Sequence, residues 1–158
     1  MSFLKIELNI TSDFHKDIRL VIPDLQIAVD VDSYHLLKDT DVSFNGNGYD
    51  KVIEVLIIVI QNWVIVVRRM KTNEIDFLPF DFSDEYIGCL RIEKQSNMLL
   101  VQYGFTQSIM GVDLFPTQYQ NFNIKDKDFE NDSSIVSIDE EAFLNCLDSN
   151  IRSLLNTA

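Results

Sequence analysis

Residues 52–70, VIEVLIIVIQNWVIVVRRM, are the most apolar part of this chain, and their reading decides the fold. Three structures compete for them: a membrane span, a pair of buried strands, or one buried helix. A membrane helix needs about 20 mostly apolar residues. Here the longest unbroken apolar run is six residues, 55–60, and Glu54, Gln61 and Asn62 interrupt the rest, so no span is expected. Periodicity then separates helix from strands. With Asp50 at zero and a step of about 100° per residue, Asp50, Glu54, Gln61 and Arg68 fall within about 40° of one another. Lys51, Asn62 and Arg69 lie at about 100–120°, on the same side, and the remaining arc is Val, Leu, Ile and Trp. A hairpin turning at Gln61-Asn62 explains less, because its polar residues have no period of two. The cost is propensity: eleven of the sixteen residues 52–67 are Val or Ile, each losing a few tenths of a kcal/mol in a helix. Burial of one such side chain returns more, about 1.5–3 kcal/mol. The stretch predicts one long buried helix over about residues 50–71.

Outward from this helix the pattern changes. On its N-terminal side, Leu4, Ile6, Leu8 and Ile10 alternate with Lys5, Glu7 and Asn9, as in a strand with one wet face. Residues 18–22 form a second β-rich run. After Pro23-Asp24 a third sets Leu25, Ile27, Val29 and Val31 against Gln26, Ala28, Asp30 and Asp32. Residues 42–44 offer a short strand before the turn Asn45-Gly-Asn-Gly48. On the C-terminal side, residues 74–82 begin as a strand that Pro79 breaks or confines to an edge. Residues 86–93 and 98–105 flank Lys94-Gln-Ser-Asn97 as a hairpin, and residues 109–115 offer one more strand. Residues 125–134, KDKDFENDSS, read as a charged mobile loop. Ser137-Ile-Asp-Glu140 has the form of a capping box. Phe143, Leu144, Leu147, Ile151, Leu154 and Leu155 then recur at helical spacing, which predicts an amphipathic helix over 138–156. The expectation is an α+β domain spanning residues 1–158: a mainly antiparallel sheet packed against one long helix, closed by a C-terminal amphipathic helix.

The whole composition narrows the function classes. At 158 residues the chain is long enough to build a core without metal or disulfide staples. It carries 25 acids against 13 bases, a net charge of −12. Nucleic acids need a basic footprint, and anionic membranes attract basic segments, so this balance argues against both partners. It suits solubility, or a basic macromolecular partner drawn in by long-range attraction. Cys89 and Cys146 follow no metal or disulfide spacing and read as reduced thiols in or near the core. The N-terminus MSFLKIELNITSD lacks the charge, apolar block and cleavage site of a signal peptide, which points to the cytoplasm. The glycosylation patterns at Asn9-Ile-Thr11 and Asn131-Asp-Ser133 are then chance matches.

Few residues are placed for chemistry. Asp30 and Asp32 share a strand face, and His35 could fold back to join them, but no metal motif uses this spacing and Ca²⁺ takes more oxygen ligands. His15 and His35 lie in no nucleophile motif. Asn45-Gly-Asn-Gly48 is too short for a phosphate loop and lacks its lysine. No cofactor is expected. More suggestive is IDFLPFDFSDEY, where Phe77, Phe80, Phe82 and Tyr86 interleave with Asp76, Asp81, Asp84 and Glu85. One reading puts the aromatics in the core and the acids in water. Another makes Asp76, Asp81, Asp84, Glu85 and Tyr86 a docking surface for a basic protein, aromatic anchors inside a charged rim. The acids Asp126, Asp128, Glu130 and Asp132 admit the same two readings.

The long helix leading into the acidic-aromatic run 74–86, the hairpin YIGCLRIEKQSNMLLVQYG and the capped closing helix SIDEEAFLNCL together resemble small bacterial immunity proteins. These are the cytosolic antidotes of polymorphic and contact-dependent growth-inhibition toxins. The resemblance covers residues 45–157 and lies in layout and composition, so it carries over no binding residues. It implies a non-enzymatic protein that binds a cognate toxin domain and occludes its active or substrate-binding face; a monomer or weak dimer is expected. A basic nuclease toxin would suit a chain of this charge. Two other classes stay open: a secretion chaperone or acidic adaptor, and a small enzyme built from scattered acids and His35.

Overall fold

The computed structural model describes residues 2–10, 13–38, 48–110, 114–117 and 122–157. Strands β1 (Lys5–Leu8), β2 (Ile18–Ile22) and β3 (Ile27–Val31) form one antiparallel sheet in that order, with Ile6 opposite Leu20 and Ile18 opposite Val31. Helix α1 (Gly48–Arg69) follows. Then come β4 (Ile75–Asp81), β5 (Ile87–Gln95), β6 (Met98–Thr106) and β7 (Glu130–Asp139), a second antiparallel sheet in sequence order, and helix α2 (Glu140–Leu155) closes the chain. The α+β class and the two helices follow the sequence expectation, but the strands divide between two sheets where one was expected.

The helical reading of the apolar stretch holds in detail. Asp50, Glu54, Gln61 and Arg68 are exposed, while Val52, Val55, Leu56, Val59, Ile60, Trp63 and Val67 are fully or almost fully buried. Ile65 is the apolar exception at 58% exposed, because it sits at about 60° on the same wheel, inside the polar arc. Trp63 ties the helix to the second sheet: its indole Nε1 donates to the Pro79 carbonyl at 2.9 Å. Pro79 lies on β4, an edge strand, where a missing N–H costs no ladder bond, and the β4–β5 register shifts between Pro79 and Asp81.

The first sheet is joined to the rest through two polar clamps. Asp17, fully buried, accepts from the Ser33 amide at 2.8 Å, the Ser33 hydroxyl at 2.5 Å and the Tyr49 hydroxyl at 2.9 Å. It thereby fixes the 3-10 turn Ser33–Leu37 against the start of α1. On the outer edge of β1, the Asn150 side chain of α2 accepts from the Ile6 amide at 2.8 Å and donates to the Leu4 carbonyl at 3.1 Å. Cys146 Sγ lies 3.1 Å from the same carbonyl. Both cysteines are buried free thiols. Buried side chains of both sheets and both helices form one hydrophobic cluster.

Several local expectations are corrected. Residues 130–134 belong to strand β7 and not to a loop; β7 is an edge strand whose side chains mostly face water, so polar residues fill it. Ser137 stands in that ladder opposite Leu100, and the cap of α2 is Asp139, whose carboxylate accepts from the Ala142 amide at 3.0 Å. Pro23–Leu25 is a 3-10 turn, so the third strand starts at Ile27, after Gln26 at φ 56°. The hairpin turn is confined to Ser96 and Asn97, with Ser96 at φ 59°. Of residues 109–115, the described ones at each end are not in a strand, and 111–113 lie outside the described residues. So do residues 42–44 and the turn at 45–47; Gly48 opens α1.

Candidate functional site

At one end of the second sheet the β4–β5 connection folds back over Gly88, which pairs with Asp81 on β4 and Phe105 on β6. The absence of a side chain there is required: a Cβ on Gly88 would stand 2.6 Å from Tyr103 Oη and 2.8 Å from Asp81 Cβ. Asp81 and Tyr103 therefore close over the glycine. Asp81 is 6% exposed and accepts from the Tyr86 hydroxyl at 3.0 Å. The Tyr86 ring meets Phe105 edge-on, centroids 6.0 Å apart. Tyr103 is held by β7, its amide donating to Ser133 Oγ at 2.9 Å. Burial pushes the Asp81 carboxyl up to about 6; the Tyr86 hydrogen bond and the charge of Lys38 oppose the shift, and Asp32 adds to it. Burial and the neighbouring Asp81 carboxylate push the Tyr86 phenol up to about 12, and the same two causes raise Tyr103.

A second wall comes from the segments flanking the first sheet, before β2 and after β3. Phe14 and Lys16, either side of His15, stand at φ 60° and 49°, a strained pair of left-handed positions for bulky residues. In this conformation the Lys16 amide donates to Asp32 Oδ1, 2.7 Å away, and His15 Nδ1 lies within 3.3 Å of Asp32 Oδ2. Burial opposes ionisation of Asp32, but the Lys16 amide together with His15 and His35 holds its carboxyl below the usual range. His35 lies between two acids, with Nε2 3.9 Å from Asp32 and Nδ1 3.8 Å from Asp84. Neither contact is short enough for a hydrogen bond, and His35 Nδ1 is buried with no hydrogen-bond partner among the described residues. Burial, then the Lys38 charge, lowers the His35 pKa against the pull of Asp84 and Asp32. Lys38 donates to the Phe82 carbonyl at 2.6 Å and pairs with Asp84 at 3.5 Å.

Two clefts meet at Asp81 and Tyr86. One, of about 250 Å³, is lined by Val29, Tyr103, Phe105 and Asp132 besides these two. The other, of about 220 Å³, is lined by Lys16, Asp30, Asp32, His35 and Ser83 with them. A buried carboxylate beside phenols and further acids can hold a cation or exchange a proton. Among the described residues no three His, Cys, Asp or Glu side chains are grouped to hold a metal ion. Asp32 and His35 do approach each other, whereas Asp30 turns to Arg19 at 3.8 Å.

The nine docking candidates fall into two groups. Asp81, Tyr86 and Asp132 line the first cleft, Asp84 is exposed against His35 of the second, Glu85 is exposed next to Tyr86 in the chain, and Glu130 is exposed opposite Phe105 in the ladder. Asp76 and Asp126 lie further along the sheet and are paired with arginines. Arg69 reaches Asp76 at 3.3 Å, and Arg91 binds Asp126 at 2.6 Å, which holds that carboxyl below its usual range. Asp128 is half-buried in the 3-10 turn Asp126–Asp128. Tyr103, Phe105, Val29 and Gly88 were not legible as site residues, because on their own strands they read as ordinary alternating apolar positions.

No helix among the described residues is long and apolar enough to cross a membrane. No protein-family profile matches the chain, and no curated protein matches its sequence. Among solved structures the chain shows a weak, fold-level resemblance to a chain of the CdiA-CT/CdiI toxin and immunity complex from Enterobacter cloacae, at 12% identity and a TM-score of 0.49, over 99% of both chains.

Proposed function

We propose that this chain is a cytoplasmic bacterial immunity protein that binds a cognate, basic toxin domain and occludes its active or substrate-binding face. The docking surface is the acidic, aromatic end of the second sheet. One observation carries the reading: acids far apart in sequence meet around one pair of clefts. Asp30 and Asp32 come from the end of the first sheet, Asp81 from the end of β4 and Asp132 from β7, while Asp84, against the cleft residue His35, and Glu85, next to Tyr86 in the chain, add exposed acids in the β4–β5 connection. Tyr86, 36% exposed, stands at their centre as an aromatic anchor within a charged rim. The net charge of −12 supports it, since attraction over a Debye length steers a basic partner to an acidic face. The sequence layout of residues 45–157, which resembles that of immunity proteins, agrees with it. Asp76 and Asp126, already paired with arginines, belong to the framework in this reading.

Co-expression tests it. The C-terminal toxin domain encoded beside this chain is expressed alone and together with it, and surviving cells are counted. The expected result is killing by the domain alone and rescue by the pair, with rescue weakened by Asp84→Lys combined with Glu85→Lys. Both positions are exposed, but Asp84 pairs with Lys38, so the variant's rescue is read only where its urea midpoint matches that of the parent. A domain that kills regardless of co-expression overturns the reading. A harmless domain that nonetheless forms a stable complex would instead identify a chaperone or adaptor.

A further inference from the structure

We propose that the cleft between Tyr86, Tyr103 and Phe105 is a receptor for a single arginine side chain of the partner protein, its guanidinium lying against the rings and closed upon by the Asp81 and Asp132 carboxylates. The proposal rests on the docking reading above and names its chemistry. The cleft has about 250 Å³ of space, aromatic rings on its sides and two carboxylates in its lining. Its existence depends on Gly88, since even a methyl group there would collide with Tyr103 Oη and the Asp81 side chain. Tyr86 donates its hydroxyl to Asp81 Oδ2 and turns its ring edge-on to Phe105. A half-exposed aromatic surface is thus fixed next to a buried negative charge. That combination selects for a cation that can stack. A guanidinium is planar, more weakly hydrated than an ammonium, and forks onto carboxylates, so it gains more from this site than lysine does. Anionic ligands meet Asp81, Asp132, Asp30 and Asp32 and are repelled.

Titration supports the assignment. The titratable groups facing Asp81 are Tyr86 from the β4–β5 connection, Tyr103 from β6, Asp132 from β7, Lys38 beyond β3, and Lys16, Asp30, Asp32 and His35 across the second cleft. With its carboxyl near 6, Asp81 is ionised at neutral pH and loses its charge below that value. A bound cation therefore weakens its hold as pH falls through this range.

The test is an NMR titration of the ¹⁵N-labelled full chain with N-acetyl-arginine amide, following the Gly88 and Gly104 amides that line the cleft. Saturable shifts at both are expected, with a dissociation constant of about 1–10 mM for so small a probe. N-acetyl-lysine amide should bind several-fold more weakly, and Asp81→Asn or Tyr86→Ala should reduce arginine binding about tenfold. Asp132→Asn, on an exposed strand position, gives a second reading should the Asp81 variant fail to fold. Unshifted glycine amides, or equal binding by all variants, overturn the receptor; an equal response to lysine overturns the guanidinium assignment. No toxin enters this titration. Arginine binding without rescue in cells would sink the immunity reading alone, and rescue without arginine binding would sink the receptor alone.

Discussion

Two buried aspartates show how differently one residue type is used. Asp17 has three donors, a buried acid satisfied by its surroundings. Asp81 is almost as buried yet accepts only from Tyr86 among the described residues, and its carboxyl is raised from 3.8 to about 6. The raised value has a defined sign. Between about pH 4 and pH 6 the folded chain holds a proton that the unfolded chain has released. Stability from this residue is therefore greatest in acid and is lost as pH rises through that window, the reverse of an ordinary ion-paired carboxylate. A shift of this size corresponds to about 2–3 kcal/mol of destabilisation at neutral pH. Asp81→Asn should relieve most of it. Urea midpoints taken at pH 4, 5, 6 and 7.5 should show the variant gaining on the parent as pH rises, by about 1–3 kcal/mol at the top of the range. Parallel profiles would mean that Asp81 titrates normally.

At the scale of elements, what was legible and what was not divides by which environment wrote the pattern. Helix α1 buries most of its circumference, so its few polar residues had to fall on one stripe, and the stripe could be read. The same holds for α2 through Phe143, Leu147 and Leu154, and for β2, whose Ile18, Leu20 and Ile22 alternate with wetter positions. Strand β7 was invisible because its ladder partner β6 supplies the order while its own side chains ENDSS face water. The cap of α2 was displaced by two residues for a related reason: Ser137 and Asp139 both suit an N-cap, and the ladder to Leu100 claims the serine. The candidate site was half legible. Its acids stood out by charge, but their meeting with Tyr103 and Phe105 depends on strand register, which no local pattern encodes. The edge of β1 was likewise unreadable, since Asn150 of α2 replaces a missing strand by bonding Leu4 and Ile6. Asn150→Ala should leave the Ile6 amide without its partner and cost about 2–3 kcal/mol. Faster hydrogen exchange at Ile6, with Val21 in the β2 interior little changed, would locate the loss at this edge. Unaltered exchange at Ile6 would show that water replaces the asparagine without penalty.

Across the whole molecule, charge is arranged along the second sheet as well as summed over the chain. From Gly88 at the cleft to Lys94 near the hairpin is six residues of β5, about 20 Å. At the far end and along the middle, Arg91, Lys94 and Arg69 are engaged by Asp126, Glu140 and Asp76, so positive and negative groups cancel locally. At the cleft end Asp84, Glu85, Glu130 and Asp132 are exposed, and among the described residues only Asp84 of these four is ion-paired, to Lys38 at 3.5 Å, whose ammonium also donates to the Phe82 carbonyl. A basic partner approaching from solution therefore meets an oriented field and not merely an acidic protein, and the field acts before any contact forms. Salt distinguishes this from short-range adhesion. The Debye length falls from over 10 Å to about 4 Å between about 50 mM and 500 mM NaCl, so long-range steering is suppressed while the desolvated contacts survive. Stopped-flow association with the cognate toxin domain should slow by about tenfold or more over that range, with dissociation changing far less. Asp84→Asn combined with Glu85→Gln should flatten the dependence, and Asp126→Asn, at a position already neutralised by Arg91, should not. An association rate indifferent to salt would show that the acidic end does not guide the encounter, whatever it contributes once the two proteins touch.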